Sequence, residues 1–320
     1  MSTPLVSITC LVYNHEKYIR DCLEGFLFQK TNFPFEVLVH DDASTDATPE
    51  ILKEYAAKYP DTIKLILRET NLHSVPGHRS LNLINLDRAQ GKYVAMCEGD
   101  DFWCSPHKLQ KQFDFMEAHE NCSICACGIY YLNHMRKSYT PQGFPAEEWP
   151  LPREIACKRI FFNDHPLHTP AVFYRMDALR AIQDLFQRDI QNAPMGDTQL
   201  FYHLATQGDV GYIRERMATY RQHATSSSSY NDPEKARRFA QRSLDAHIRI
   251  AKLNNHPDWA EEYEKTAAEK INVISTKKPL SINFRQYLTK IKRFFRGDYA
   301  NYRRYLELSP SERVRMFAQD

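Results

Sequence analysis

Through the first hundred residues, short apolar runs alternate with stretches in which apolar side chains recur every three or four positions. Leu5 to Tyr13, Phe35 to His40, Ile63 to Leu67 and Tyr93 to Cys97 are rich in β-branched and aromatic residues and predict strands. Between them, Ile19, Cys22, Leu23, Phe26 and Leu27 form one helical stripe, and Ile51, Leu52 and Tyr55 another. The second helix has a start signal: Thr48 as a cap, Pro49 in the first turn and Glu50 against the positive helix end. A third helix is expected over Arg79 to Ala89. Strand–helix alternation of this kind builds a parallel sheet with helices on both faces, and such sheets bind ligands at the carboxyl ends of their strands.

The residues at those ends are therefore the informative ones. They are Asn14-His15-Glu16 after the first strand, Asp41 to Asp46 after the second, and Glu98-Gly99-Asp100-Asp101 after the fourth. Carboxylates gathered at one sheet edge repel one another unless cations or hydrogen-bond donors meet them.

Beyond Ser105 the pattern changes. A helix is expected from Pro106 to about His119, then a cysteine-rich strand over Ile124 to Tyr130. Residues 138–170, rich in Pro and aromatics, read as irregular. Ala171 to Tyr174 predicts a strand, Asp177 to Phe186 and Asp197 to Ala205 predict helices, and Gly211 to Ile213 a short strand. After the serine run 226–229, residues 234–320 read as helical.

Composition narrows the class. A formal charge of +2 and 42% hydrophobic residues describe an ordinary globular chain. No signal-peptide pattern and no spanning apolar stretch occur, so a cytoplasmic location is expected. The eight cysteines read as reduced, small apolar residues rather than disulfides. Cys122, Cys125 and Cys127 lack a second pair to complete a zinc set.

The acidic tetrad offers oxygen ligands of the kind that suit Mg²⁺ or Mn²⁺, which take one or two protein carboxylates and fill their remaining positions with water and phosphate oxygens. A solvated acidic turn is the plainer alternative. Asp197, at a predicted helix start, can be a cap or a general base.

Five segments in order carry a resemblance: VSITCLVYNHEKYI (6–19), FEVLVHDDASTD (35–46), GKYVAMCEGDDFW (91–103), MGDTQLF (195–201) and TYRQH (219–223). Together they resemble a bacterial family 2 glycosyltransferase over about residues 4–225. The resemblance implies an α/β fold of the GT-A, Rossmann-like type: a mixed, mostly parallel sheet with flanking helices. Residues 1–225 would be catalytic, with 1–120 the nucleotide-sugar half and 121–225 the acceptor half. Residues 230–320 would form a helical, basic extension. It further implies that Thr9, Tyr13, Asn14, Glu16, Asp42, Asp100 and Arg221 bind the nucleotide sugar. Glu98, Asp101 and His223 would hold Mn²⁺ or Mg²⁺, and Asp197 would be the base of a single, inverting displacement. Three departures stand out: Ala43 where the family often has Gly, Glu98 for its usual first Asp, and Gly77-His78-Arg79-Ser80 where the family has Ala-Arg-Asn before the fourth strand, so the motif does not carry a diphosphate role over to Arg79. His168 with Thr169 is an acceptor candidate; for His168 a packed, hydrogen-bonded role is the alternative.

The end of the chain is separate chemistry. Between Lys277 and Arg304, nine basic residues stand against one acid, Asp298, so this stretch is +8 in a chain of +2. Phe284, Tyr287, Leu288, Ile291, Phe294 and Phe295 share one helical face, as in a helix lying on an anionic membrane surface, or one packed on the catalytic domain. No nucleic-acid-binding pattern accompanies the charge. The expectation is transfer of a sugar, from UDP first, to a hydroxyl of a lipid-linked or growing surface glycan (O-antigen or capsule). A non-catalytic nucleotide-sugar-binding subunit and a nucleotidyltransferase are the alternatives.

Overall fold

The computed structural model describes residues 3–73, 75, 80–190, 196–224, 233–276 and 299–317. Four parallel strands form the first half: β1 (Val6–Val12), β2 (Phe35–Asp41), β3 (Ile63–Leu67) and β4 (Tyr93–Met96). Between them run α1 (Ile19–Leu27), α2 (Thr48–Lys58) and α3 (Leu81–Leu86). β1 is covered on both faces and β3, at the edge, is half open, as their apolar and mixed sequences require.

The second half completes the sheet. β5 (Phe102–Trp103), α4 (Lys108–Ala118), β6 (Cys122–Asn133) and β7 (Ser138–Pro141) come first. Then follow α5 (Arg153–Phe161), a 3-10 turn at Thr169–Ala171, β8 (Phe173–Arg175), α6 (Met176–Ile190), α7 (Asp197–Ala205) and β9 (Asp209–Gln222). The strand order is β3-β2-β1-β4-β8-β6-β9-β5, with β7 beside β6. β8 is antiparallel to β4 and β6, whereas β9 runs parallel to β6 and antiparallel to β5. The expected mixed, mostly parallel architecture with flanking helices is present.

Three local expectations need correction. Residues 138–170 are not wholly irregular, since β7 and α5 lie within them. The short strand expected at 211–213 is a fourteen-residue strand whose pairing with β6 shifts register twice near Cys127 and Gly128, which interrupts its alternation. Thr48 does not cap α2: its hydroxyl accepts the His15 N–H (2.9 Å) and so ties two site loops together.

After β9, α8 (Pro233–Leu253) and α9 (Pro257–Thr276) form an antiparallel pair packed on α5 through Phe161, Trp259 and Tyr263. Residues 299–307 and α10 (Pro310–Arg313) are helical too. They return to the main sheet, where Tyr302, Tyr305 and Val314 are buried with Phe102, Cys104, Leu132 and Tyr139. Of the basic stretch 277–304, residues 277–298 lie outside the described residues, as do Arg79 and the serine run 226–229. No helix among the described residues is long and apolar enough to cross a membrane.

Candidate active site

The carboxyl ends of β1, β2 and β4 open into one cavity of about 700 Å³. Tyr13 to Tyr18 form one wall, Asp42 and Asp46 another, and Glu98, Asp100 and His223 the floor and far side. Asn71 and His73, from the segment after β3, also line it.

The β1 and β2 loops brace each other. Asn14 stands in the left-handed region (φ 55°), and its side-chain oxygen accepts the Thr45 N–H at 2.8 Å, while its own N–H donates to the Ser44 hydroxyl. The Glu16 carboxylate accepts the Ala47 N–H, and the Glu16 N–H donates to Asp46. Both Asp42 oxygens accept backbone N–H groups, from Leu72 (2.8 Å) and His73 (3.0 Å). Asp42 therefore fixes the loop that borders the cavity beside it. Ala43, the departure from the family's glycine, is itself left-handed (φ 63°).

The acidic tetrad forms a tight group. Ligand oxygens of Glu98, Asp100 and Asp101 lie within 4.8 Å of one another. Gly99 is needed here for space rather than for an unusual φ: a Cβ would come within 2.9 Å of Val12 Cγ2 and 2.8 Å of His15 Nδ1. Asp101 is fully buried. Its Oδ1 accepts the Arg221 N–H at 2.7 Å, while its Oδ2 is buried with no partner. Asp100 faces the cavity, and its Oδ2 lies 3.0 Å from His223 Nε2 and 3.9 Å from His15 Nε2.

The electrostatics follow from that packing. Burial, with the charges of Asp100 and Asp197, pushes Glu98 up to about 8. Burial and the charges of Asp100 and Glu98 push Asp101 well above the ordinary carboxylate range. Burial would raise Asp100 as well, but the His223 hydrogen bond, His15 and Arg221 outweigh it and hold it low. A buried carboxylate oxygen without a donor, beside two more carboxylates, fits a divalent cation, which would supply the missing positive charge.

Asp197 is the first residue of α7, where its Oδ1 accepts the Thr198 N–H at 2.8 Å. Burial raises its carboxyl above the usual range. The buried pair Asp189–His203 (2.8 Å) links α6 to α7 and so fixes the helix that carries it.

Tyr13, Asn14, Glu16, Asp42, Glu98, Asp100 and His223 thus share one cavity; Asp101 and Asp197 do not line it, but Asp101 shares the 4.8 Å oxygen cluster with Glu98 and Asp100 and the charge of Asp197 reaches Glu98. Two residues assigned to the donor do not line that cavity. Thr9 is buried within β1, where side chains of a covered strand face the core rather than the sheet edge. Arg221 is buried behind the acidic loop, with its Nη1 donating to the Asp100 carbonyl (2.6 Å) and its Nη2 to Asp21 (2.7 Å). His168 is hydrogen-bonded to Tyr131 and Gln142, and burial lowers it to about 4, which matches its packed alternative. Tyr18 and His73 were not singled out in the sequence, and His15, named in the loop after β1, was given no role; only the position of His15 and Tyr18 just after β1 hinted at them.

Comparisons with known proteins agree with the architecture. The family model "Glycosyl transferase family 2" matches residues 7–183, more than half of the chain. A Mycobacterium tuberculosis protein described only as uncharacterized is 36% identical over 234 residues, 72% of this chain and 63% of its own length. The match therefore spans a little under two thirds of that relative. EpsE of Bacillus subtilis, named as a glycosyltransferase, is 39% identical over 128 residues, 40% of this chain and 44% of its own. Among solved structures, Staphylococcus aureus TarS 1-349 superposes with a TM-score of 0.53 at 21% identity, covering 86% of this chain and 75% of TarS 1-349. Its complex with UDP-GlcNAc gives a TM-score of 0.52 at 22% identity over 78% and 72%. That likeness is one of fold, whereas the extent of the family match settles the kinship: the chain belongs to glycosyl transferase family 2.

Proposed function

We propose that the chain transfers a sugar from a nucleoside diphosphate sugar, UDP-linked in the first instance, to a glycan hydroxyl with inversion at the anomeric carbon. One observation carries the reading: three carboxylates with oxygens within 4.8 Å, two of them lining a cavity of nucleotide-sugar size and the third offering a buried, partnerless oxygen beside it. Neutralising such a group with Mg²⁺ or Mn²⁺ would make an acidic cavity receptive to a diphosphate. When bound, the cation supplies positive charge against the leaving nucleotide. Glu98, Asp100 and Asp101 would hold it, with His223 beside them. The cavity residues Tyr13, Asn14, Glu16 and Asp42 would orient the nucleotide.

Asp197 would take the acceptor proton. Its raised carboxyl is a stronger base than an exposed aspartate, and removal of such a base typically costs about 10²–10⁴ in rate. TarS, which shares the fold, is described with UDP-GlcNAc and with UDP, which favours a UDP-linked donor. TuaG of Bacillus subtilis, named for teichuronic acid biosynthesis, is 37% identical over 113 residues, which favours a surface-polysaccharide acceptor. The +8 stretch 277–304 would hold the enzyme at the anionic membrane face where lipid-linked acceptors reside.

Calorimetric titration of UDP, GDP and their sugar conjugates, with and without Mn²⁺, tests the donor. Mn²⁺-dependent binding of one nucleotide family is expected, and binding of none would overturn the reading. Asp197→Asn should keep donor affinity and lose about 10²–10⁴ in transfer rate; near-normal turnover would remove it as the base.

A further inference from the structure

The acidic loop is held from behind by residues near the end of the chain. Tyr305 Oη donates to Asp21 Oδ2 (2.6 Å) and accepts from Arg221 Nη2 (2.8 Å). Arg313 Nη1 donates to Asp21 Oδ1 (3.2 Å), and its Nε donates to the Tyr305 carbonyl (3.0 Å). Arg221 spans the gap between this cluster and the site. One arm reaches Asp21, the other the Asp100 carbonyl, and its backbone N–H reaches Asp101 Oδ1. The guanidinium lies over the rings of Tyr18 (4.6 Å) and Phe102 (5.2 Å).

We infer that Tyr305 and Arg313 are positioning residues for the acidic loop, fixing Asp21 and Arg221 so that Asp100 and Asp101 are presented in one arrangement. Neither residue lies in the family-matched range 7–183, and 284 positions separate Tyr305 from Asp21.

Packing alone does not explain the chemistry at this contact. The same segment docks through Val314, buried in the second core, and Phe317, stacked on Tyr130 at 4.3 Å. An apolar contact of that kind needs no hydroxyl and no cation. Instead both oxygens of Asp21, only 1% exposed, are used: one by Arg313, the other by Tyr305 and Arg221. A guanidinium stays charged when buried, so Arg221 must keep an anion, and Asp21 shares itself between two arginines. Tyr305 and Arg313 settle where Asp21 stands. That in turn settles the direction of the Arg221 arm that ends on the Asp100 carbonyl. A displaced Asp21 would swing this arm and loosen the loop whose N–H groups otherwise bond to Leu11, Glu98 and Met217.

The functional consequence rests on the donor-binding reading of the loop; the positioning itself does not. Hydrogen exchange of residues 99–104 in the full chain, without ligand, tests it directly. Tyr305→Phe keeps the ring and removes the hydroxyl, and should speed loop exchange about tenfold; Arg313→Ala should do the same and Arg313→Lys less. In calorimetry with UDP present, Tyr305→Phe should weaken Mn²⁺ about tenfold, as expected for a group that orients metal ligands indirectly. Ile182→Ala, which destabilises the chain from α6 in the other core cluster and away from this network, should lower the melting temperature and leave loop exchange and Mn²⁺ affinity unchanged. Loop exchange unaltered in Tyr305→Phe, or altered equally in Ile182→Ala, would overturn the inference. A parent chain that binds no nucleotide with Mn²⁺ would defeat the donor reading, while the exchange data would still decide the positioning.

Discussion

Asp101→Asn should separate stability from metal binding. Asp101 is fully buried, one of its oxygens has no donor, and Asp100 and Glu98 stand within 4.8 Å. Asparagine keeps an acceptor for the Arg221 N–H and replaces the partnerless oxygen with an amide that can donate toward the neighbouring carboxylates. An unsatisfied buried polar group costs about 1–3 kcal/mol, and more when charged. In chelator, the variant should therefore be more stable by about 1–3 kcal/mol, roughly 1.5–4.5 °C in Tm for a chain of this size. The sign with pH is fixed by the direction of the shift. Asp101 has a raised pKa in the folded state, so the folded chain holds a proton that the unfolded chain has already lost. Parent stability then falls as pH rises above the ordinary carboxylate range, and the advantage of asparagine grows with it. Below that range both states are protonated and the advantage vanishes. Thermal unfolding in EDTA and in Mn²⁺, from pH 5 to 9, reads both effects. The parent should gain Tm with Mn²⁺, rising with the logarithm of its concentration once above Kd, and the variant should not. A variant less stable than the parent in EDTA at pH 8, or one that keeps the Mn²⁺ shift, would refute the reasoning.

Ala43→Gly should stabilise by about 0.5–1 kcal/mol, because left-handed alanine costs about 1–2 kcal/mol and glycine's greater unfolded-state freedom returns part of it; urea unfolding would show it as a higher midpoint with an unchanged slope. Gly25→Ala pits two effects against each other. Helix propensity favours alanine by about 1 kcal/mol. Against that, its Cβ would stand 2.9 Å from the backbone N and O of Trp103, which cannot rotate away. Overpacking at about 1–3 kcal/mol should win, giving a lower Tm and a disturbed β5 just after the acidic loop; an unchanged or raised Tm would show that α1 can slide.

The parallel half of the sheet was legible because its strands are uniformly apolar and the intervening helices carry clear stripes. The convergence of Asn14, Asp42, Glu98 and Asp100 followed from the rule that parallel strands deliver their carboxyl-end loops to one edge. The second half was harder. β9 hides its fourteen residues because the register shifts break its alternation, and α5 hides in a Pro-rich, aromatic segment whose helical stripe is weak.

The sequence alone determined which chemistry was available: a carboxylate tetrad after a strand, a second acidic loop, and an aspartate opening a helix. Local order is enough for this, since each loop follows its own strand. Only the tertiary structure decided which side chains reach the cavity and which brace it. Thr9 and Arg221 sit within motif segments yet turn into the protein, one by strand alternation and the other by its pairing with Asp21. Tyr305 and Arg313 meet that same aspartate from the far end of the chain. A contact spanning 284 residues leaves no local periodicity to read, because it depends on how the finished sheet edge and the final helices pack together.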